Sequence, residues 1–158
     1  MDITDVEYDW MYSVYGNMQE QIIPKPLGNQ VITTIYIDAS LYHDMVRGRA
    51  VTGVLQLING TPIDWFSKGH DTVEMATYGS EFVAACIATE QIIDLRSTLR
   101  YLGVPIKGKS YMFGDNQSVI TSSTIPYSRL TKRHNAFSYH HVREAIATKI
   151  LAFVYKKG

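Results

Sequence analysis

Between Val31 and Asp115 the apolar pattern changes period twice, from strand to helix and back, and each of the two flanking strands runs into an aspartate. V-I-T-T-I-Y-I-D at Val31 to Asp38 is dense enough in branched residues for a central strand that ends in a carboxylate. Val51 to Ile58 and Ile63 to Ser67 are two further apolar runs around Asn59-Gly60, a dipeptide that tolerates the positive φ angles of a tight hairpin. Glu81, Ala85, Ala88, Ile92, Leu95, Leu99 and Leu102 step by four and three, which predicts one stripe of a long helix closing at Gly103 and Pro105. Ser110 to Gly114 reads as a short strand leading into Asp115. A helix starting at Gln117 to Ser122, an amphipathic helix from about Ser138 to Lys149 and a strand from Ile150 to Tyr155 follow. The order βββαβααβ predicts an α/β fold whose mixed five-stranded sheet, three antiparallel strands and then parallel ones, is flanked by helices.

Composition narrows the setting. A chain of 158 residues that is 46% hydrophobic has enough apolar material for one ordinary core. The single domain is expected over 31–158. Residues 1–30, rich in Tyr and closing in Pro24-Lys25-Pro26-Leu27-Gly28-Asn29, read as a lead-in and a turn that connect to something upstream. Fifteen Lys plus Arg balance fifteen Asp plus Glu, so a polyanion would have to meet a local basic patch. The single cysteine, Cys86, lies in an apolar run and excludes an internal disulfide or a cluster of thiolates, as suits a reducing compartment. No stretch approaches the roughly 20 apolar residues of a membrane span, and the acidic start lacks a signal-peptide n-region.

The strand–helix–strand crossover from Asp38 to Asp115 places both aspartates outside the carboxyl ends of parallel strands, where ligands of such sheets gather. Glu81 is expected in the first turn of the crossover helix, on the stripe facing the sheet, where an uncompensated charge is costly. Three converging carboxylates repel one another, so their natural partner is a hard divalent cation with oxygen ligands, Mg²⁺ or Mn²⁺. Two such ions about 4 Å apart can activate water and stabilise the leaving oxygen in phosphodiester cleavage. The plainer account makes Asp38 and Asp115 caps after strands, and Glu81 a first-turn acid favoured by the helix dipole.

Six ordered blocks resemble the successive motifs of copia-type ribonuclease H domains of retrotransposon reverse transcriptases. They are Y-I-D-A-S from Tyr36, R-A-V-T-G-V from Arg49, P-I-D-W-F-S-K from Pro62, Y-G-S-E-F-V-A-A from Tyr78, G-D-N-Q-S-V-I from Gly114, and K-R-H-N-A-F-S-Y-H-H-V-R-E-A from Lys132. The resemblance runs from about Val31 to the end. It implies a ribonuclease H-like fold and metal-dependent endonucleolytic hydrolysis of the RNA strand of RNA:DNA hybrids, with two Mg²⁺ ions and Mn²⁺ as the alternative. Asp38 matches the first-strand aspartate that bridges both ions, Glu81 the helix glutamate, and Asp115 the aspartate ending the fourth strand. A fourth carboxylate of the family belongs to an A-D motif opening a closing helix, a segment not found before Gly158; weak activity of this chain by itself is the expectation. Asn135 is a poor replacement on family position. The partner implied upstream is the polymerase domain of the same polyprotein, and the setting a cytoplasmic virus-like particle, with the nucleus as the alternative.

Arg129, Lys132, Arg133 and His134 form the one concentrated basic patch and suit phosphate contacts to the hybrid, although a solvated loop explains them equally well. Ser40 and Gln117 follow the aspartates closely enough to reach a ribose hydroxyl or a base edge, and the resemblance favours Gln117. His140 and His141 match Mg²⁺ poorly and receive no catalytic role. Trp65 is expected in the core of an inner strand. Tyr8, Tyr12 and Tyr15 are expected to pack in the lead-in. Two competing functions remain: an inactive domain of this fold that holds nucleic acid or braces a polymerase, and an integrase-like nuclease acting on DNA. Clustered acids argue against the first, and the position of Glu81 between the third and fourth strands against the second.

Overall fold

A computed structural model describes residues 25–44, 49–69, 77–125 and 136–157. Strand β1, Thr33–Asp44, alternates as a half-covered strand should: Thr33, Ile35, Ile37 and Ala39 are buried, while Thr34, Tyr36 and Asp38 face outward. β2, Arg49–Ile58, and β3, Thr61–Gly69, form the expected hairpin, and its turn residues Asn59 and Gly60 take φ values of 50° and 79°. Positive φ at both positions is what a two-residue turn of the primed type requires. The Asn59 side chain also accepts a 2.9 Å hydrogen bond from the Ile32 N–H, tying the hairpin to the start of β1.

With β4, Ser110–Gly114, and β5, Leu151–Tyr155, the sheet runs β3-β2-β1-β4-β5. The β1–β2 and β2–β3 pairings are antiparallel, and β1–β4 and β4–β5 are parallel. The mixed five-stranded sheet read from the sequence is therefore the one observed. Helix α1, Thr77–Tyr101, makes the crossover and packs on β1 and β2. Helices α2, Gln117–Thr124, and α3, Ala136–Ala147, pack on β5 and on each other, and α3 also lies against α1. Phe82, Ile35, Ile92, Met112, Leu151, Val119 and Val142 are the largest fully buried apolar side chains, so the core lies between one face of the sheet and the helices.

Four sequence expectations need correction. β1 does not end at Asp38 but continues to Asp44, because β2 goes on pairing with it through Ser40–Val51 after the β1–β4 ladder has ended at Tyr36–Phe113. Helix α1 begins at Thr77, so Glu81 lies in its second turn and the first turn holds no acid. A dipole account of Glu81 loses its basis, since that effect fades beyond the first turn. The apolar stripe fails at Leu102, which is 64% exposed, because the helix stops at Tyr101. Gly103, at φ 74°, closes it: its N–H donates to the Arg100 carbonyl and the Val104 N–H to that of Leu99, the paired bonds of a Schellman ending. Trp65 is 78% exposed rather than buried, because β3 is the outer strand of the sheet.

Two buried or half-buried cations brace the connections. Arg96, 2% exposed on α1, donates from Nη1 to the Gly108 carbonyl at 2.9 Å and to Ser110 Oγ at 3.2 Å, fixing the approach to β4. Arg143 on α3 donates to the Ser122 and Ile125 carbonyls at 2.6 and 2.7 Å, capping the C-terminal end of α2. Of the lead-in, residues 1–24, with Tyr8, Tyr12 and Tyr15, lie outside the described residues. Beyond them the chain bends at Gly28, φ 82°, and the Leu27 N–H bonds to the Gly103 carbonyl at 2.7 Å.

Candidate active site

The parallel register of β1 and β4 decides where the two aspartates meet. Tyr36 is level with Phe113, and two residues further along each strand stand Asp38 and Asp115. Both are exposed, at the same rim of the sheet. Asp115 is held at a strand-to-helix junction: β4 stops at Gly114, and Asn116 caps α2 by accepting from the Ser118 and Val119 N–H groups at 3.1 and 3.2 Å. Gly114 leaves little room for a side chain: a Cβ there would lie 3.0 Å from Phe153 Cε2 and 3.3 Å from Ile37 Cγ1, so those side chains would have to give way slightly.

Glu81 comes to this rim from α1 and is 2% exposed. One ligand oxygen from each of Asp38, Glu81 and Asp115 can be chosen so that all lie within 4.8 Å of one another. Burial, with the charges of Asp115 and Asp38 adding to it, raises the Glu81 carboxyl from 4.5 to about 7, against an opposing hydrogen bond from the Ala39 N–H. The three acids singled out from sequence are thus brought together, and one of them holds its proton near neutrality. A set of oxygen donors that strains against its own charge suits a hard divalent cation.

The residues expected at the substrate are placed less fully. Gln117 is exposed in the first turn of α2, two positions after Asp115, and its Nε2 lies 3.4 Å from Thr121 Oγ1. The Ser40 backbone pairs with Val51 in β1, two residues after Asp38. Arg129, Lys132, Arg133, His134 and the discounted Asn135 lie outside the described residues.

Two features escaped the sequence reading. On the outward face of the sheet, Tyr36 and Phe113 stack with ring centroids 5.1 Å apart, and Lys156 Nζ lies 4.7 Å from the Tyr36 centroid while donating to its hydroxyl at 3.2 Å. Period-two alternation was visible in Y-I-D and in Y-M-F-G-D, but the register that aligns the rings was not. The second feature is another group of metal-type ligands, Cys86, Glu90 and His141, also within 4.8 Å of one another. Its one local signal was the four-residue spacing of Cys86 and Glu90 on a helix.

No protein-family model matches the chain. In sequence it is 29% identical over 119 residues to the retrovirus-related Pol polyprotein from transposon TNT 1-94 of Nicotiana tabacum, a match covering 75% of this chain but 9% of that polyprotein. Among solved structures, LC11-RNase H1, isolated from compost, superposes with a TM-score of 0.60 at 16% identity, covering 80% of this chain and 84% of that one. The same enzyme in complex with an RNA/DNA hybrid gives a TM-score of 0.56 at 15% identity, covering 79% and 85%. The prototype foamy virus protease-reverse transcriptase matches at a TM-score of 0.54 and 15% identity, over 87% of this chain and 19% of that protein. The chain therefore has a ribonuclease H-like fold, and in sequence it is similar to a short segment of a retrotransposon Pol polyprotein.

Proposed function

We propose that this chain hydrolyses the RNA strand of an RNA:DNA hybrid, using divalent cations held by Asp38, Glu81 and Asp115. The convergence of these three carboxylates at one rim of a ribonuclease H fold is the observation that carries the reading. Its substrate comes by likeness to LC11-RNase H1, which was solved with an RNA/DNA hybrid. An all-oxygen ligand set matches Mg²⁺ or Mn²⁺ and disfavours softer ions. When bound, two such ions would supply activation of a water and stabilisation of the departing 3′ oxygen, leaving a 3′-hydroxyl and a 5′-phosphate.

The protein's own groups divide the remaining work. Asp38 and Asp115, both exposed, present oxygens where a phosphodiester can approach, and buried Glu81 is fixed from behind by the Ala39 N–H. Gln117 and Ser40 are assigned to the ribose hydroxyl or a minor-groove base edge, the features that separate RNA from DNA. Arg129, Lys132, Arg133 and His134 are assigned to the phosphate backbone. Because the match lies within a Pol polyprotein, we place the domain beside a reverse transcriptase, in a cytoplasmic virus-like particle.

The test is cleavage of a hybrid labelled on its RNA strand, with duplex DNA as control, in millimolar Mg²⁺ or Mn²⁺. RNA in the hybrid should be cut, the duplex spared, and activity lost with chelator and in Asp38→Asn. Cleavage that survives Asp38→Asn, or its complete absence from the unaltered chain in Mn²⁺, would refute the assignment.

A further inference from the structure

Away from the acidic rim, α1 and α3 face each other through side chains of a different chemistry. Cys86 and Glu90 stand one helical turn apart on α1, and His141 reaches toward them from α3. A thiol, a carboxylate and an imidazole each offer one ligand atom within 4.8 Å of the others. Cys86 is buried, His141 half-buried and Glu90 exposed, so the group has a closed floor and an open mouth.

The imidazole supplies an independent sign. Its Nε2 is buried and has no hydrogen-bond partner, although a buried polar atom ordinarily finds one. The Phe137 ring lies nearly parallel to that of His141, 7° between planes with centroids 5.8 Å apart. On the floor, the Ser138 hydroxyl hydrogen-bonds the Cys86 sulfur. Without a cation, burial and the neighbouring Glu90 carboxylate push the Cys86 thiol up to about 11, so at neutral pH the sulfur is protonated. A divalent cation would reverse that balance, displacing the thiol proton to solvent and leaving one thiolate and one carboxylate to match its two charges.

We propose that Cys86, Glu90 and His141 form a second cation site, selective for Zn²⁺ and related borderline ions, that pins helix α1 to helix α3. Sulfur and nitrogen ligands favour such ions over Mg²⁺, and three protein ligands with an open fourth position leave room for one water at the Glu90 side. Glu90 stands nine residues from Glu81, about 13 Å along the helix axis, so the two sites do not share a cation. The site fastens the helix that carries Glu81.

Titration of the full chain with Co²⁺ in millimolar Mg²⁺, which occupies the acidic rim, reads this site by its thiolate-to-cobalt absorption in the near ultraviolet. The band should appear with one equivalent, vanish on adding Zn²⁺, be absent in Cys86→Ser and persist in Asp38→Asn. Glu90→Gln changes an exposed residue and leaves the core untouched; it and His141→Phe should each weaken Co²⁺ binding at least tenfold. No band in the unaltered chain, or unchanged Co²⁺ affinity in both Glu90→Gln and His141→Phe, overturns the proposal. Hybrid cleavage is read separately, so the failure of either site is distinguishable from that of the other.

Discussion

Helix α1 contributes to two ligand clusters, and they are built on opposite principles. Near its start, Glu81 joins Asp38 and Asp115, and burial, reinforced by the charges of those two acids, lifts the carboxyl of Glu81 to about 7. Further along, Cys86 and Glu90 meet His141, a mixed set with only one carboxylate. The first is anchored in the sheet rim and two of its members are exposed; the second bridges two helices and its sulfur is buried. On the proposals made above, the acidic cluster would take hard cations and the mixed cluster a softer one.

Substitution at each cluster under one cleavage assay exposes that division most sharply. Asp38→Asn replaces an anionic carboxylate at the rim with a neutral amide and should lower hybrid cleavage at least ~10³-fold, about 4 kcal/mol of transition-state stabilisation. Glu90→Gln should leave cleavage within about threefold, because that residue faces solvent two turns beyond the rim. A comparable loss in both variants would erase the distinction between a working site and a fastening one.

A thermodynamic contrast follows from the raised carboxyl. Because Glu81 holds its proton more tightly in the folded chain, the metal-free protein is favoured at low pH and loses that advantage as pH rises from 4.5 through about 7. At pH 8 without metal, Glu81→Gln should therefore be more stable than the unaltered chain, by roughly 2–3 kcal/mol, and the gap should close by pH 4. Denaturant melts in chelator at both pH values measure it, and millimolar Mg²⁺ should invert the order at pH 8. A metal-free Glu81→Gln variant no more stable than the parent at pH 8 would mean that burial and the neighbouring acids do not raise the Glu81 carboxyl.

Packing behind the rim comes next in size. Gly114→Ala places a methyl against Phe153 and Ile37, directly before Asp115. Overpacking of this kind costs about 1–3 kcal/mol and should displace Asp115, weakening Mg²⁺ binding while Co²⁺ binding at Cys86 is retained. A thermal scan with each metal separates the two effects, and equal weakening of both metals would show that the clusters are mechanically coupled through α1.

How much of this was legible in the chain depended on the range of the signal. Asn59-Gly60 and the branched residues of β1 are short-range features, and each led to the right element, although Asp38 does not end its strand. Trp65 misled because strand order is a long-range property: nothing local says that β3 lies at the edge. Glu81 was found as a member of the acidic set but placed one turn early, since the helix start at Thr77 depends on residues without a clear capping signature. Cys86 and Glu90 showed their common helical face, yet His141 comes from a helix far along the chain, and no spacing rule links it to them. Arg96 was similarly hidden on an apolar helix, its carbonyl partner lying in the loop before β4.

The smallest expected effect tests how locally the rim is assembled. The Asn116 side-chain Oδ1 accepts from two N–H groups in the first turn of α2 and so fixes the bend in which Asp115 sits. Asn116→Ala leaves those donors to water and should cost about 1 kcal/mol of stability, whereas Asn116→Ser or Asn116→Asp, which keep an acceptor, should cost a few tenths. Cleavage should fall several-fold in the alanine variant and recover in the aspartate one, with Co²⁺ binding at Cys86 unchanged in both. Since α2 also packs on α3, which bears His141, a shift in Co²⁺ affinity on losing this one cap would show that the acidic rim and the mixed cluster are read through the same helix layer rather than set independently.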